Sequence, residues 1–219
     1  MHTDARTLLQ KALKSDPGRP LLTMYDDATG ERIELSVATF ENWVSKTANF
    51  LLDELMLEPG EPVGLDLPAH WQPAVIEVAV LCAGGTLTTA TARITFWLEG
   101  EPLPADPVAE EIVGLSLRPM GLGLVKSPAG VLDYSVDVRA HGDQFSPRYP
   151  ATPLDVQPVA ERVLTEDLEL LLPVLAGGGS LVLCRHPDPT ALAHRVETER
   201  VTATTMAEAD LPAALARLV

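Results

Sequence analysis

Apolar residues first recur at helical spacing at Leu8, Leu9, Ala12 and Leu13, and the pattern ends where Pro17, Gly18 and Pro20 interrupt it. LLTMYD and ERIELS then predict two strands around a turn carrying Asp27, Thr29 and Gly30, which makes an N-terminal β-hairpin. Ser36 is placed to cap a long amphipathic helix, because Val37, Phe40, Val44, Ala48, Leu51 and Leu55 repeat at steps of three and four until EPGE stops it. PVGLDL follows as a buried strand, PAHW as a tight loop and QPAVIEVAVLCA as a largely apolar helix, with Gly84-Gly85 its stop before TLTTAT. Strand, helix, strand in that order predicts a right-handed parallel crossover.

From Arg93 to Ala140 the pattern is less regular. ITFWL and EIVGLSL read as strands, and VLDYSVDVRA fits either a strand or a short helix. HGDQFSPRYPATPLDVQP carries four prolines and little apolar periodicity, so it predicts an extended surface connector. Beyond it ERVLT, SLVLC and VTATTM are strands, DLELLLPVLA is a short helix kinked by Pro173 and ended by GGG, PTALAHRVETER is a helix, and ADLPAALARLV closes the chain as another. The fold class is α/β, a largely parallel sheet flanked by helices, in a single two-lobed domain. Lobe one spans about 1–140, the connector 141–158 and lobe two 159–219.

At 219 residues with 46% hydrophobic content the chain can bury a substantial core without disulfides. Sixteen basic against thirty-one acidic residues give a net charge of −15, which repels nucleic acid and anionic membrane surfaces alike. Cys82 and Cys184 sit in the apolar runs LCAGG and SLVLCRH, without metal-type spacing, and read as reduced core thiols. The N-terminus lacks a signal-type apolar stretch and no run reaches membrane-spanning length, so a cytoplasmic location is expected.

Few segments carry candidate chemistry. GLGLVKS has Val125 where a nucleotide phosphate loop needs glycine before the lysine, and reads as a surface turn. His186, Asp188, His194 and Cys184 are metal-ligand types, but HPDP is a turn and His194 shares a helix whose apolar face is Leu192 and Val196; no metal is expected. There is no G-x-S-x-G elbow, and no catalytic residue is assigned. Parallel sheets bind ligands beyond the carboxyl ends of their strands, which makes His70 and Trp71, in the loop after PVGLDL, the candidate ligand-binding rim. Trp71 also fits a packing role at a helix start.

The block from TMYDDATGERIELS through EPGEPVGLDLPAHW to VLCAGG resembles the opening of acyl-CoA synthetases and other adenylate-forming, AMP-binding enzymes. ERVLTEDLELLLPVLAGGGSLVLCRHPDP is similar to a later strand and helix of the same family, and order and spacing carry the resemblance more than any single motif. It implies the first part of that family's N-terminal domain. It also implies a Ser/Thr/Gly-rich phosphate loop ending in Lys, where this chain has HGDQFSPRYPATPLDVQPVA, and a His that has no counterpart at Glu166 or Asp167. The family's ribose-binding Asp, adenine motif and catalytic Lys have no match before Val219. Adenylation needs cations around the α-phosphate. The expectation is therefore a catalytically incomplete AMP-binding-enzyme-like protein acting as a binding or interaction module, with no required cofactor and with residual AMP or acyl-adenylate binding left open. The alternatives are half of a split acyl-CoA synthetase-like enzyme completed by a partner, and an unrelated small-molecule enzyme on the remnant fold. A homodimer or protein partner is expected over the sheet edge that missing neighbours would leave bare.

Overall fold

A computed structural model describes residues 3–206, 211 and 215–218. The chain opens with a two-residue strand β1 (Thr3–Asp4) and helix α1 (Ala5–Ser15), whose N-cap Asp4 accepts from the Thr7 backbone N–H. The hairpin β2 (Pro20–Asp26) and β3 (Glu31–Ser36) is antiparallel, its turn closed by the Gly30 N–H donating to Asp26 O at 2.8 Å. Ser36 caps α2 (Val37–Asp53) by accepting from the Thr39 N–H at 3.2 Å, as its spacing predicts. β4 (Pro62–Leu65), α3 (Trp71–Ala83) and β5 (Thr86–Thr88) form the parallel crossover, and Gly84 ends α3 in the left-handed region at φ 90°.

The less regular middle continues this sheet with β6 (Ile94–Leu98), β7 (Glu111–Leu115) and β8 (Val131–Asp133), while 134–137 form the short helix α4 (Tyr134–Asp137). VLDYSVDVRA is thus both a strand and a helix. The connector holds only β9 (Pro153–Leu154), which pairs with β1, and it is tied to α2 by Asn49 Nδ2 donating to Gly142 O and Gln144 O. β10 (Arg162–Thr165), α5 (Leu171–Gly177), β11 (Ser180–Arg185), α6 (Pro189–Thr198), β12 (Ala203–Thr204) and β13 (Ala216–Arg217) follow. Two expectations change. Pro173 is the third residue of α5, within the first turn, where its missing N–H costs no helical bond, and so the helix takes it in without a kink. Ala216–Arg217, read from the sequence as helix, are a strand; most of the remaining predicted terminal helix lies outside the described residues.

The strands make a six-stranded sheet in the order β13-β12-β10-β11-β2-β3, parallel except for β2 and β3, and a fully parallel five-stranded sheet in the order β5-β4-β6-β7-β8. The first sheet draws on both sides of the connector, because β11 pairs with β2 from Leu181 opposite Leu22 to Arg185 opposite Asp26. α2 and α3 pack along one another, and Phe40, Phe50, Leu51, Val75 and Ile76 are all fully buried. Each such side chain contributes about 2–3 kcal/mol by leaving water. No helix among the described residues is long and apolar enough to cross a membrane.

Candidate functional site

Strand β4 lies between β5 and β6, so the chain changes direction across the sheet at its carboxyl end, the position where open parallel sheets form ligand crevices. The loop 66–69 leaves that end and has a cleft on each side. The first cleft, about 540 Å³, is lined by Gly64, Asp66, Thr89, Thr91, Thr95, Trp97 and Glu101 among others. Gly64 is required there: a Cβ would sit 2.9 Å from both Ala90 O and Thr95 Oγ1, so the chain crosses directly over the strand. Thr95 Oγ1 fixes that crossing by donating to Ala92 O at 2.7 Å and accepting from the Ala92 N–H at 3.0 Å. The charged residues of this lining are Asp66 and Glu101, with no Lys, Arg or His among its described residues. A triphosphate would therefore meet like charge and no compensating cation.

The second cleft, about 390 Å³, lies between α3 and the loop that follows β10. Leu67, Ala69, Val78, Leu81, Leu87, Leu168, Leu171 and Leu172 make its apolar wall, with Asp167 and Glu169 beside them. Every residue of α3 is buried except Glu77, whose side chain enters this cleft. Among the described residues Glu77 has no hydrogen bond or ion pair, and burial without a donor pushes its carboxyl from 4.5 up to about 7. Such a group holds or releases a proton near neutrality and gains most from a ligand that supplies a donor or positive charge. Sequence reasoning missed it, although one charged residue inside the apolar run QPAVIEVAVLCA was a visible signal. Asp167, which stands near the place where the resemblance implied a His, reaches the same cleft.

His70 and Trp71 do not line either cleft. His70 is fully buried as the N-cap of α3, its Nδ1 accepting from the Gln72 N–H at 3.3 Å. Burial first, then the charge of Arg185, pushes its imidazole down to about 3, with Asp26 opposing, so it is neutral at pH 7. Its Nε2 has no hydrogen-bond partner and lies 4.0 Å from Glu31 Oε2. Trp71 is 3% exposed and packs against the Trp43 ring, with centroids 5.5 Å apart. Gly121 is pressed onto it, since a Cβ there would come within 2.9 Å of the Trp71 ring. Both residues pack in the core at the start of α3.

The remaining candidates are structural. In GLGLVKS the backbone N–H groups of Val125 and Lys126 donate to Glu99 Oε1, and that of Leu124 to Asp133 Oδ2, so carboxylates of the chain already occupy the amides. His186 Nδ1 lies 3.0 Å from Asp26 Oδ1, Asp188 caps α6, His194 meets Thr198, and Cys184 Sγ accepts from Arg195. No group of three or more metal-ligating side chains converges among the described residues.

No family model matches the chain. A TIGR03089 family protein of Mycobacterium tuberculosis is 38% identical over 230 aligned positions, spanning 89% of this chain and 95% of the relative. Among solved structures, the anthranilate CoA ligase AuaEII in complex with anthranoyl-AMP superposes with a TM-score of 0.69 at 14% identity, over 93% of this chain and 49% of the ligase. Acetoacetyl-CoA synthetase from Streptomyces lividans gives 0.69 at 17% identity over 93% of this chain and 42% of its own. The inhibitor-bound N-terminal domain of FACL13 from Mycobacterium tuberculosis gives 0.66 at 12% identity, over 92% and 62%. The fold is that of the N-terminal part of adenylate-forming ligases, and the chain spans about half the length of these solved structures.

Proposed function

The chain belongs to the TIGR03089 family, and on that premise we propose that it is a binding module on the adenylate-forming fold, without adenylating activity of its own. Its ligand site is the cleft between α3 and the 167–172 segment, and the ligand is a small apolar molecule bearing an ammonium or another strong donor. The observation that carries this reading is Glu77: an unpartnered carboxyl in an apolar wall, flanked by Asp167 and Glu169. Burying a carboxyl without a partner costs stability, and a cationic head returns that cost as binding energy. The acid-only charge of the neighbouring cleft supports the absence of adenylation, because nothing there offsets phosphate charge.

Calorimetric titration tests the reading with arylalkyl amines against carboxylic acids of the same carbon skeleton, and with ATP·Mg²⁺, AMP, an acyl-adenylate mimic and CoA. Saturable binding of amines, lost in Glu77→Leu, is the expected result. Preferential binding of ATP or of the acyl-adenylate mimic would replace it with residual use of a nucleotide pocket. A protein that binds none of the panel refutes the small-molecule reading and moves the search to protein partners.

A further inference from the structure

At the opposite, amino-terminal edge of the six-stranded sheet lies a third hollow of about 400 Å³, where β2, β10 and β11 begin and α6 ends. In a chain of net charge −15 it gathers three guanidinium groups, Arg19, Arg162 and Arg200, with the hydroxyl of Ser180. Its two carboxylates are already taken. Glu199 accepts from Tyr25, Arg32 and Arg162, and Glu34 accepts from Arg32 and Thr23. Arg162 is consumed in turn by Glu199, Ser180 and Thr23. Two cations remain without a carboxylate partner. Arg19 donates only to Gly179 O and keeps a buried Nη2 unpaired, and burial lowers its pKa against the opposing pull of Asp16. The exposed guanidinium of Arg200 has no hydrogen bond or ion pair among the described residues.

The backbone of Arg200 is a second, independent observation. It follows the C-cap of α6 at φ 52°, in the left-handed position that helix ends commonly give to glycine, while the Val201 N–H closes back on Val196 O at 3.0 Å. An arginine there carries a conformational cost that glycine would avoid. The side chain it brings lines the hollow beside Arg19.

We propose that this hollow is an oxyanion site for a phosphate-class group. Arg200 and Arg19 are its cations outside any ion pair, Arg162 and Ser180 fix its wall, and the charge of two guanidiniums that no carboxylate bonds matches a phosphate dianion better than a monocarboxylate. The volume beyond a phosphate leaves room for an organic body attached to it. The site is independent of the Glu77 cleft and stands whether or not that cleft binds amines.

Isothermal titration with inorganic phosphate, and with acetate for comparison, tests this on the wild type, Arg200→Gly and Arg200→Gln. The wild type should bind phosphate saturably and more tightly than acetate, and both variants should weaken phosphate by roughly tenfold or more, the loss of a charge-assisted contact. Arg200→Gly should at the same time raise the melting temperature, since glycine relieves the positive φ; lost binding in a more stable protein separates the site from misfolding. The proposal is overturned by wild-type protein that gives no saturable phosphate heat, by variants that bind as the wild type does, or by acetate binding as tightly as phosphate.

Discussion

Glu77→Gln keeps the shape of the side chain and removes its charge, so it isolates the cost of ionising a carboxyl inside the cleft. In the folded protein this group titrates at about 7, against 4.5 for an ordinary glutamate. Because the folded value is raised, the stability of the neutral form is fully present below 4.5 and is lost as pH rises through 7. At about 1.4 kcal/mol per pH unit the displacement amounts to about 3 kcal/mol, and partial solvent access through the cleft mouth brings this down to about 2 kcal/mol. Glutamine stays neutral throughout. The stability difference between Glu77→Gln and wild type should therefore grow by about 2 kcal/mol from about pH 5 to about pH 8, with the variant the more stable at the upper end. Urea denaturation of both proteins in parallel reads it, since the other carboxylates cancel in the difference. A difference that is flat to within about 0.5 kcal/mol over that range would refute the reasoning, because Glu77 would then be solvated or paired in the folded state.

Three further outcomes follow from the packing. Arg195, 6% exposed, bonds Asp27 Oδ1 at 2.6 Å and Cys184 Sγ at 3.3 Å and lies over the Tyr25 ring, so Asp27→Ala should cost about 3 kcal/mol in chemical denaturation by leaving a buried charge unpaired. Gly179→Ala should fail to reach the native circular dichroism spectrum, since its Cβ would lie 2.3 Å from Glu161 O and 2.7 Å from Val159 O, both rigid backbone. Cys82 and Cys184 should both resist a thiol reagent at pH 8 until denaturant is added, because burial holds each thiol above its usual range; rapid native modification of either would contradict the buried placement.

Much of the fold was legible because it is local. Ser36 announces its helix through a capping side chain, Gly84 ends the next one through a left-handed backbone, and the apolar spacing from Val37 to Leu55 fixes which face of that helix is buried. The pairing of β2 with β11 was not legible, since nothing in LLTMYD states which of several apolar strands, more than 150 residues away, will lie beside it. The candidate site divided the same way. The loop after β4 leaves the carboxyl end of a parallel strand, as its sequence indicates, but the direction of its side chains depends on what packs over them: Trp43 and Gly121 close over Trp71, and His70 turns inward as a cap. Glu77, nearly two turns further along α3, faces the cleft only because the loop after β10 comes to lie opposite it.

The most direct test of a binding module without adenylating chemistry is exchange of labelled pyrophosphate into ATP, measured with the purified protein, Mg²⁺ and a panel of aryl and alkyl carboxylic acids. Clefts whose charged lining is acidic and free of Lys, Arg and His should support no exchange above the protein-free blank for any acid. Exchange that scales with protein concentration and requires one particular acid would contradict the account and make the chain an adenylating enzyme.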